Sequence, residues 1–374
     1  MVGVFALAAV APLFFSASGP VLNNMVLAAA YAVMALGLNI IVGFAGLLDL
    51  GYVAFFAIGA YTTAYFGSGF WANAGSDGRG IAVLVSDSVA GRPGIHVNFL
   101  LIIALAVAAT AVAGTLIGVP TLRLRGDYIG MVTLAFVEIV GRVVSNGAGI
   151  EIFGGTLTSG PIGIGPIDRI DLPLLGRFGA VDLRPWYWFA LALVALALVV
   201  NVNLRGSRIG RAWIAIRHDE SAAAAAGIPV VRTKLLAYGT GAAFGGVSGA
   251  FLASYLGVVN AVQFEFSFSI FIFAMVVLGG LGSIPGVVVG AIILSVVNSY
   301  LLPDVLFDLP RKVGLAFDLS VISSGIYGAI LLIVMLLRPH GLVPAGRLTQ
   351  RPARPPSAKN SRSASVGASV AARS

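Results

Sequence analysis

The chain has 374 residues, 58% of them hydrophobic and only 10% charged, with a formal net charge of +8 and no cysteine. Soluble globular chains carry about 25% charged residues, so this composition, with a mean hydropathy of +0.98, excludes a soluble fold and defines a polytopic membrane protein. Disulfide and thiol chemistry are excluded as well, and in such a chain the positive charge reports which loops face the cytoplasm rather than an affinity for nucleic acid.

A helical span needs about 20 apolar residues. That length predicts an all-α fold of about ten transmembrane helices, near residues 2–18, 21–43, 46–66, 98–119, 128–145, 186–204, 235–258, 265–281, 284–302 and 320–337, with both termini on one side. The start, MVGVFALAAVAPLFFSAS, lacks the positively charged head of a secretory signal and reads as a short first span. The stretch 37–66, GLNIIVGFAGLLDLGYVAFFAIGAYTTAYF, is rich in glycine, which permits close helix approach and a break in the helix. Asp49 lies near that break. An acid at membrane depth is costly and faces protein or water, so Asp49 is either a pathway residue or an interfacial cap on the third helix. Phe70 and Trp71 close the third span, and Trp186, Tyr187 and Trp188 open the sixth, where aromatic rings prefer the membrane interface.

In the fifth span, YIGMVTLAFVEIVGRVV, Glu138 and Arg142 stand four residues apart on one helical face, the spacing of an ion pair. A buried pair is structural; an unpaired Glu138 is the better pathway candidate. The segment 146–185 is long, rich in Gly, Pro and Ile, and poor in charge. It folds back over the outer mouth, docks a partner, or is an irregular connector.

The longest polar interruption of the second half is 205–234, RGSRIGRAWIAIRHDESAAAAAGIPVVRTK. Alanine is the best helix former and acids favour the first turn. A short helix is therefore expected from Asp219, stopped by Gly227 and Pro229. Held on a basic loop, it suits a groove on another protein; the plainer reading is an ordinary cytoplasmic loop. Gly241, Gly245 and Gly249 in span seven line one helical stripe and let another helix pack closely. In VVLGGLGSIPGVVVGA, residues 277–291, the glycines and Pro285 predict a tight cytoplasmic turn between two spans. From 344 onward the chain is basic, Pro/Ser-rich and lacks aromatics, the composition of a disordered tail. That tail is either simply solvated or drawn to anionic lipid at about 1 kcal/mol per basic residue. The domains are thus a permease-like body, 1–343, and a tail, 344–374. With the 205–234 loop inside, 15 of the 23 Lys and Arg fall on the cytoplasmic side.

No phosphate-binding GxxxxGK[ST], HExxH, GxSxG or Cys/His cluster occurs, and His96, His218 and His340 are scattered outside the spans. Neither an enzyme nor a metal centre is indicated.

Four stretches in order resemble a known family: GLNIIVGFAGLLDLGYVAFFAIGAY (37–61), LRGDYIGMVTLAFVEIV (124–140), RIGRAWIAIRHDESAAAAAGIPVVRTKLLAY (208–238) and VVLGGLGSIPG (277–286 with its flank), closed by RPHGL (338–342). They are similar to the LivM-type membrane subunits of branched-chain amino-acid ABC importers, over most of residues 21–345. The resemblance implies an importer permease fold with a cytoplasmic coupling helix, in a bacterial inner membrane. It implies a second permease of LivH type, two ATPase subunits that bind the ATP, and a periplasmic substrate-binding protein; the chain itself needs no cofactor. The family's EAA-like motif maps onto Glu220, Ala222, Ala223 and Gly227, with Arg217 and Asp219 beside it. Where the family commonly has Ser-Leu-Gly-His, this chain has Asp49, Leu50, Gly51 and Tyr52, and the Leu/Ile-Pro ending of the wider EAA motif does not follow Gly227. Relatives of this fold carry urea, short amides and sugars. The competing readings are an autonomous channel or secondary transporter using Asp49 and Glu138, and a scaffold that recruits soluble partners through its loop and tail.

Overall fold

The computed structural model describes residues 8–71, 80–85, 92–122, 128–152, 155–172, 176–299, 329 and 341–343. Of the span expected over 2–18, residues 8–18 are described: residues 8–10 are helical, Ala11–Leu13 forms a 3-10 turn and 14–18 are non-helical, so the expected helix stops short of 18. The span expected at 320–337, the 120–127 loop beyond Leu122, most of the RPHGL closure and the tail 344–374 lie wholly or mostly outside the described residues.

The described part is mostly helical. In chain order come α1 (Pro20–Leu38), α2 (Val53–Phe66), α3 (Phe99–Thr121), α4 (Tyr128–Asn146), α5 (Arg184–Gly206), α6 (Arg208–His218), α7 (Glu220–Ala225), α8 (Val230–Leu256), α9 (Phe266–Gly279) and α10 (Ile284–Val296). Among the described residues, five helices are long and apolar enough to cross a membrane: α1 with its extension to Phe44, α3, α4 with its extension to Gly149, α5 and α8; α2, α9 and α10 are apolar but shorter. The spans expected over 235–258 and 186–204 appear as Val230–Leu256, which starts five residues earlier and ends two residues sooner, and Arg184–Gly206, which is two residues longer at each end.

The helix expected over 46–66 starts only at Val53. The reason is tertiary. α1 runs into a π-helical turn, Asn39–Phe44, and residues 45–52 then follow an irregular, mostly buried path. The Leu50 backbone is satisfied by protein, its N–H donating to Thr133 Oγ1 at 3.0 Å and its carbonyl accepting from Ser269 Oγ at 2.5 Å, while the Tyr52 side chain ties the segment to α8, its hydroxyl donating to the Gly241 carbonyl at 2.8 Å. Non-helical backbone at membrane depth is tolerated only under such conditions.

The centre of the bundle is α8. Its face carrying Gly241, Gly245 and Gly249 lies on α1 and α2. A methyl group at Gly249 would stand 2.2 Å from the Phe56 carbonyl oxygen, so only glycine allows this approach. α3, α4 and α5, by contrast, present Leu101, Leu105, Val112, Leu116, Met131 and Leu196 outward.

At the end where α2 and α8 finish, short strands form a cap on the mostly helical body. β1 (Gly67–Ser68) and β2 (Ile81–Val83) flank β3 (Ile95–Val97), antiparallel and parallel respectively. Two hairpins follow, β4–β5 (Glu151–Ile152, Gly155–Thr156) and β6–β7 (Asp171–Leu172, Gly176–Arg177). The segment 146–185 folds back onto the bundle, with a bridge from Ile164 to Val259, Ser254 Oγ donating to the Asp168 carbonyl, and Asp168 Oδ2 at 2.5 Å from His96 Nδ1.

Candidate functional site

The opposite end of the bundle carries the basic loop, and its geometry follows from local chemistry. α6 begins at Ser207, whose hydroxyl accepts from Gly210 N–H. It is fastened to α8 by Trp213, fully buried, whose Nε1 donates to the Thr233 carbonyl at 2.7 Å. α7 begins at Asp219, whose Oδ1 accepts from Ser221 and Ala222 N–H at 2.8 and 2.9 Å, a side-chain cap on two otherwise orphaned donors. It ends before Gly227, at φ +83°. Ala223 packs inward, while Glu220, Ala222 and Gly227 are exposed. Lys234, buried on α8, reaches Glu220 Oε2 at 2.7 Å.

Arg217, placed beside the EAA-like motif by the resemblance, bonds the chain's own backbone: Nη1 donates to the Gly43 carbonyl of the π-helical turn. Partial burial of the tip lowers its pKa from the ordinary guanidinium value. The contact belongs to a larger clasp. Asn39 Oδ1, on the same turn, accepts from Gly282 N–H at 2.8 Å. Gly282 has φ +82°, and a side chain there would meet both Arg217 Nη1 and the Gly43 carbonyl. Gly282 belongs to the turn joining α9 to α10, and onto that turn the 341–343 segment lays two more hydrogen bonds, Leu342 N–H to the Leu278 carbonyl and Val343 N–H to the Gly279 carbonyl. The basic loop, the end of α1, the α9–α10 turn and the 341–343 segment thus meet at one point. A polar cavity of about 360 Å³ beside it is lined by Gly46, Leu48, Arg217, Asp219, Glu220 and Lys234.

The two intramembrane acids lie apart from this clasp. Asp49 is 1% exposed. Its Oδ1 accepts from Gly51 N–H at 2.7 Å, supporting the turn rather than the helix start, where Tyr52 is the N-cap; its Oδ2 has no partner among the described residues. Glu138 pairs with Arg142 at 2.9 Å on the exposed face of α4. Gly241, Gly245 and Gly249 are in the α8 packing seam. The Asn39–Gly282 bond was missed by sequence reasoning; its one signal was an amide in an otherwise apolar run.

Membrane-length apolar helices, irregular backbone sheltered within them and a short capped helix on a basic loop make this an integral membrane protein of the polytopic permease class. The chain belongs to the family described as "Branched-chain amino acid transport system / permease component", whose family model matches residues 21–335. It is 35% identical over 341 residues to the "High-affinity branched-chain amino acid transport system permease protein LivM" of Salmonella typhimurium, covering 85% of this chain and 68% of that protein. To the "Probable branched-chain amino acid transport permease protein LivM" of Methanocaldococcus jannaschii it is 25% identical over 329 residues, 84% of this chain and 90% of that one. To the LivH permease protein of Escherichia coli it is 33% identical over 156 residues, 42% of this chain and 46% of that one. No solved structure matches the chain.

Proposed function

We propose that this chain is the membrane-spanning permease subunit of an ATP-driven importer that carries branched-chain or other hydrophobic amino acids by alternating access. The observation that carries the reading is the family match over 21–335, which takes in every described membrane-length helix and the basic loop together. The positive-inside rule puts the 205–234 loop and both termini in the cytoplasm of a bacterial inner membrane. The partners are a LivH-like permease, two ATPase subunits that bind and hydrolyse the ATP, and a periplasmic binding protein that delivers solute to the capped end.

In this reading α7 is the coupling helix. Asp219 starts it, Ala223 seats it, Gly227 ends it, and the exposed Ala222 gives an ATPase cleft a small-residue surface to close on. Glu220, though exposed, bonds Lys234, and Arg217 bonds the Gly43 carbonyl, so a displacement of α7 pulls on α8, on the end of α1 and on the α9–α10 turn together. Glu220→Arg places a second cation against Lys234, and uptake by the complete transporter is expected to fall at least tenfold. Uptake and solute-stimulated ATP hydrolysis both left intact would refute the coupling role. Co-purification from mild detergent tests the assembly: two ATPases and a second permease are expected, and recovery of the chain alone, folded and monodisperse, would point to an autonomous carrier.

A further inference from the structure

α4 buries Ile129, Gly130, Thr133, Val137 and Val144, and its opposite face exposes Met131, Leu134, Glu138, Ile139, Arg142 and Val143. On that open face Arg142 Nε meets Glu138 Oε1 at 2.9 Å, with the side chains 76% and 60% exposed. Glu138 is ten residues into a helix that spans Tyr128–Gly149, about 15 Å from its end at 1.5 Å per residue and so near the centre of a hydrocarbon core about 30 Å thick. Charged groups at that depth face protein or water and not lipid. The pair is also incompletely used: among the described residues, neither Glu138 Oε2 nor the terminal nitrogens of Arg142 has a hydrogen-bond partner. A carboxylate and a guanidinium fork thus stand side by side in an apolar wall, with open valences of opposite sign.

We propose that this face of α4 lines the solute path and that Glu138 and Arg142 form a transit site for an amino-acid zwitterion. Glu138 takes the α-ammonium, Arg142 takes the α-carboxylate through its free N–H groups, and Met131, Leu134 and Ile139 lie along the apolar side chain. Between passages the two side chains neutralise each other, so the open path carries no isolated charge. A neutral solute such as urea gains little from the arrangement. The proposal rests on the importer reading and adds to it the helix face that lines the path and the two side chains that hold the solute's charges.

The test uses the complete transporter, with its second permease, ATPases and binding protein, in proteoliposomes. The chain has no cysteine, so Ala135→Cys places the subunit's single thiol one turn from Glu138 on the exposed face. A membrane-impermeant cationic thiosulfonate is expected to modify it, at least fivefold more slowly during leucine transport. A thiol that stays inert in a transporting complex means that lipid or the second permease covers the face, and overturns the proposal. In parallel, Glu138→Gln and Arg142→Gln are each expected to lower leucine uptake at least tenfold in complexes that still co-purify, with Glu138→Asp restoring it to within threefold. Uptake within twofold of the unmodified chain for either glutamine variant overturns it too. Where a variant fails to assemble, thiol accessibility in the otherwise intact chain decides. If the unmodified complex takes up no amino acid, the importer reading itself fails, and that result is distinct from either of these.

Discussion

Arg217 shows what a residue-level reading captures and what it leaves out. Its charge and its place beside Asp219 and Glu220 were visible in the sequence; its direction was not, because an arginine side chain reaches inward as easily as outward and the Gly43 carbonyl that receives it is 174 residues away. The resemblance placed Arg217 beside the EAA-like motif, and the structure adds a bond within the chain. Arg217→Ala is expected to cut uptake roughly tenfold while ATP hydrolysis continues, because losing a charge-assisted bond of about 1.5–3 kcal/mol frees the loop from α1. Measuring both rates in one preparation checks this, and equal loss of the two would argue against a linking role. Asp49 was legible as an acid at membrane depth, yet the asymmetry of its two oxygens needed the fold. Asp49→Asn keeps an oxygen for Gly51 N–H and removes the charge. If Asp49 serves only the turn, thermal stability and uptake should stay near those of the parent chain; a selective loss of uptake would mark it as a pathway group.

At the scale of elements, α7 was readable almost to its ends, since Asp219, the alanines and Gly227 specify start, body and stop within nine residues. α2 was not. Its apolar pattern continues back to residue 46, and apolarity alone does not say that Thr133 and Ser269 will hold residue 50 in an irregular conformation. The cap strands were equally hidden, being two or three residues long and paired across loops. The glycine stripe on α8 was visible as a stripe, and the neighbours that require it became visible only in the packing. Gly249→Ala forces a methyl group against the Phe56 carbonyl and is expected to cost about 1–3 kcal/mol. A thermal shift assay in detergent should show it as a lowered midpoint, and an unchanged midpoint would mean that α2 and α8 are free to separate.

On the scale of the whole molecule, the helices sort by what surrounds them. α8 and the π-extended α1 are mostly enclosed, whereas α3, α4 and α5 show long apolar side chains at the surface. Hydropathy identifies all of these as membrane segments without ranking them by position, because lipid and protein interior are equally apolar. Small-residue content sets apart only α8, which carries five glycines; α3, open at the surface, has more glycine and alanine than the enclosed α1, so the ranking became visible only in the packing. Charge was the more informative signal at this scale, marking the loop that binds α1 and the one exposed ion pair on α4.

α8 is held at both ends and closely packed between them. Trp213 and Glu220 fasten its first turn to the loop, the Ile164–Val259 bridge and Ser254 fasten its last turns to the cap, and Gly245 lies near its waist. Its 27 residues make a rod of about 40 Å, so each degree of tilt about the waist carries the two ends about 0.35 Å in opposite directions. Such a rod behaves as a see-saw: a push that lifts the loop end draws the cap end the other way, and one rigid piece can widen the mouth on one side of the membrane as it narrows the mouth on the other.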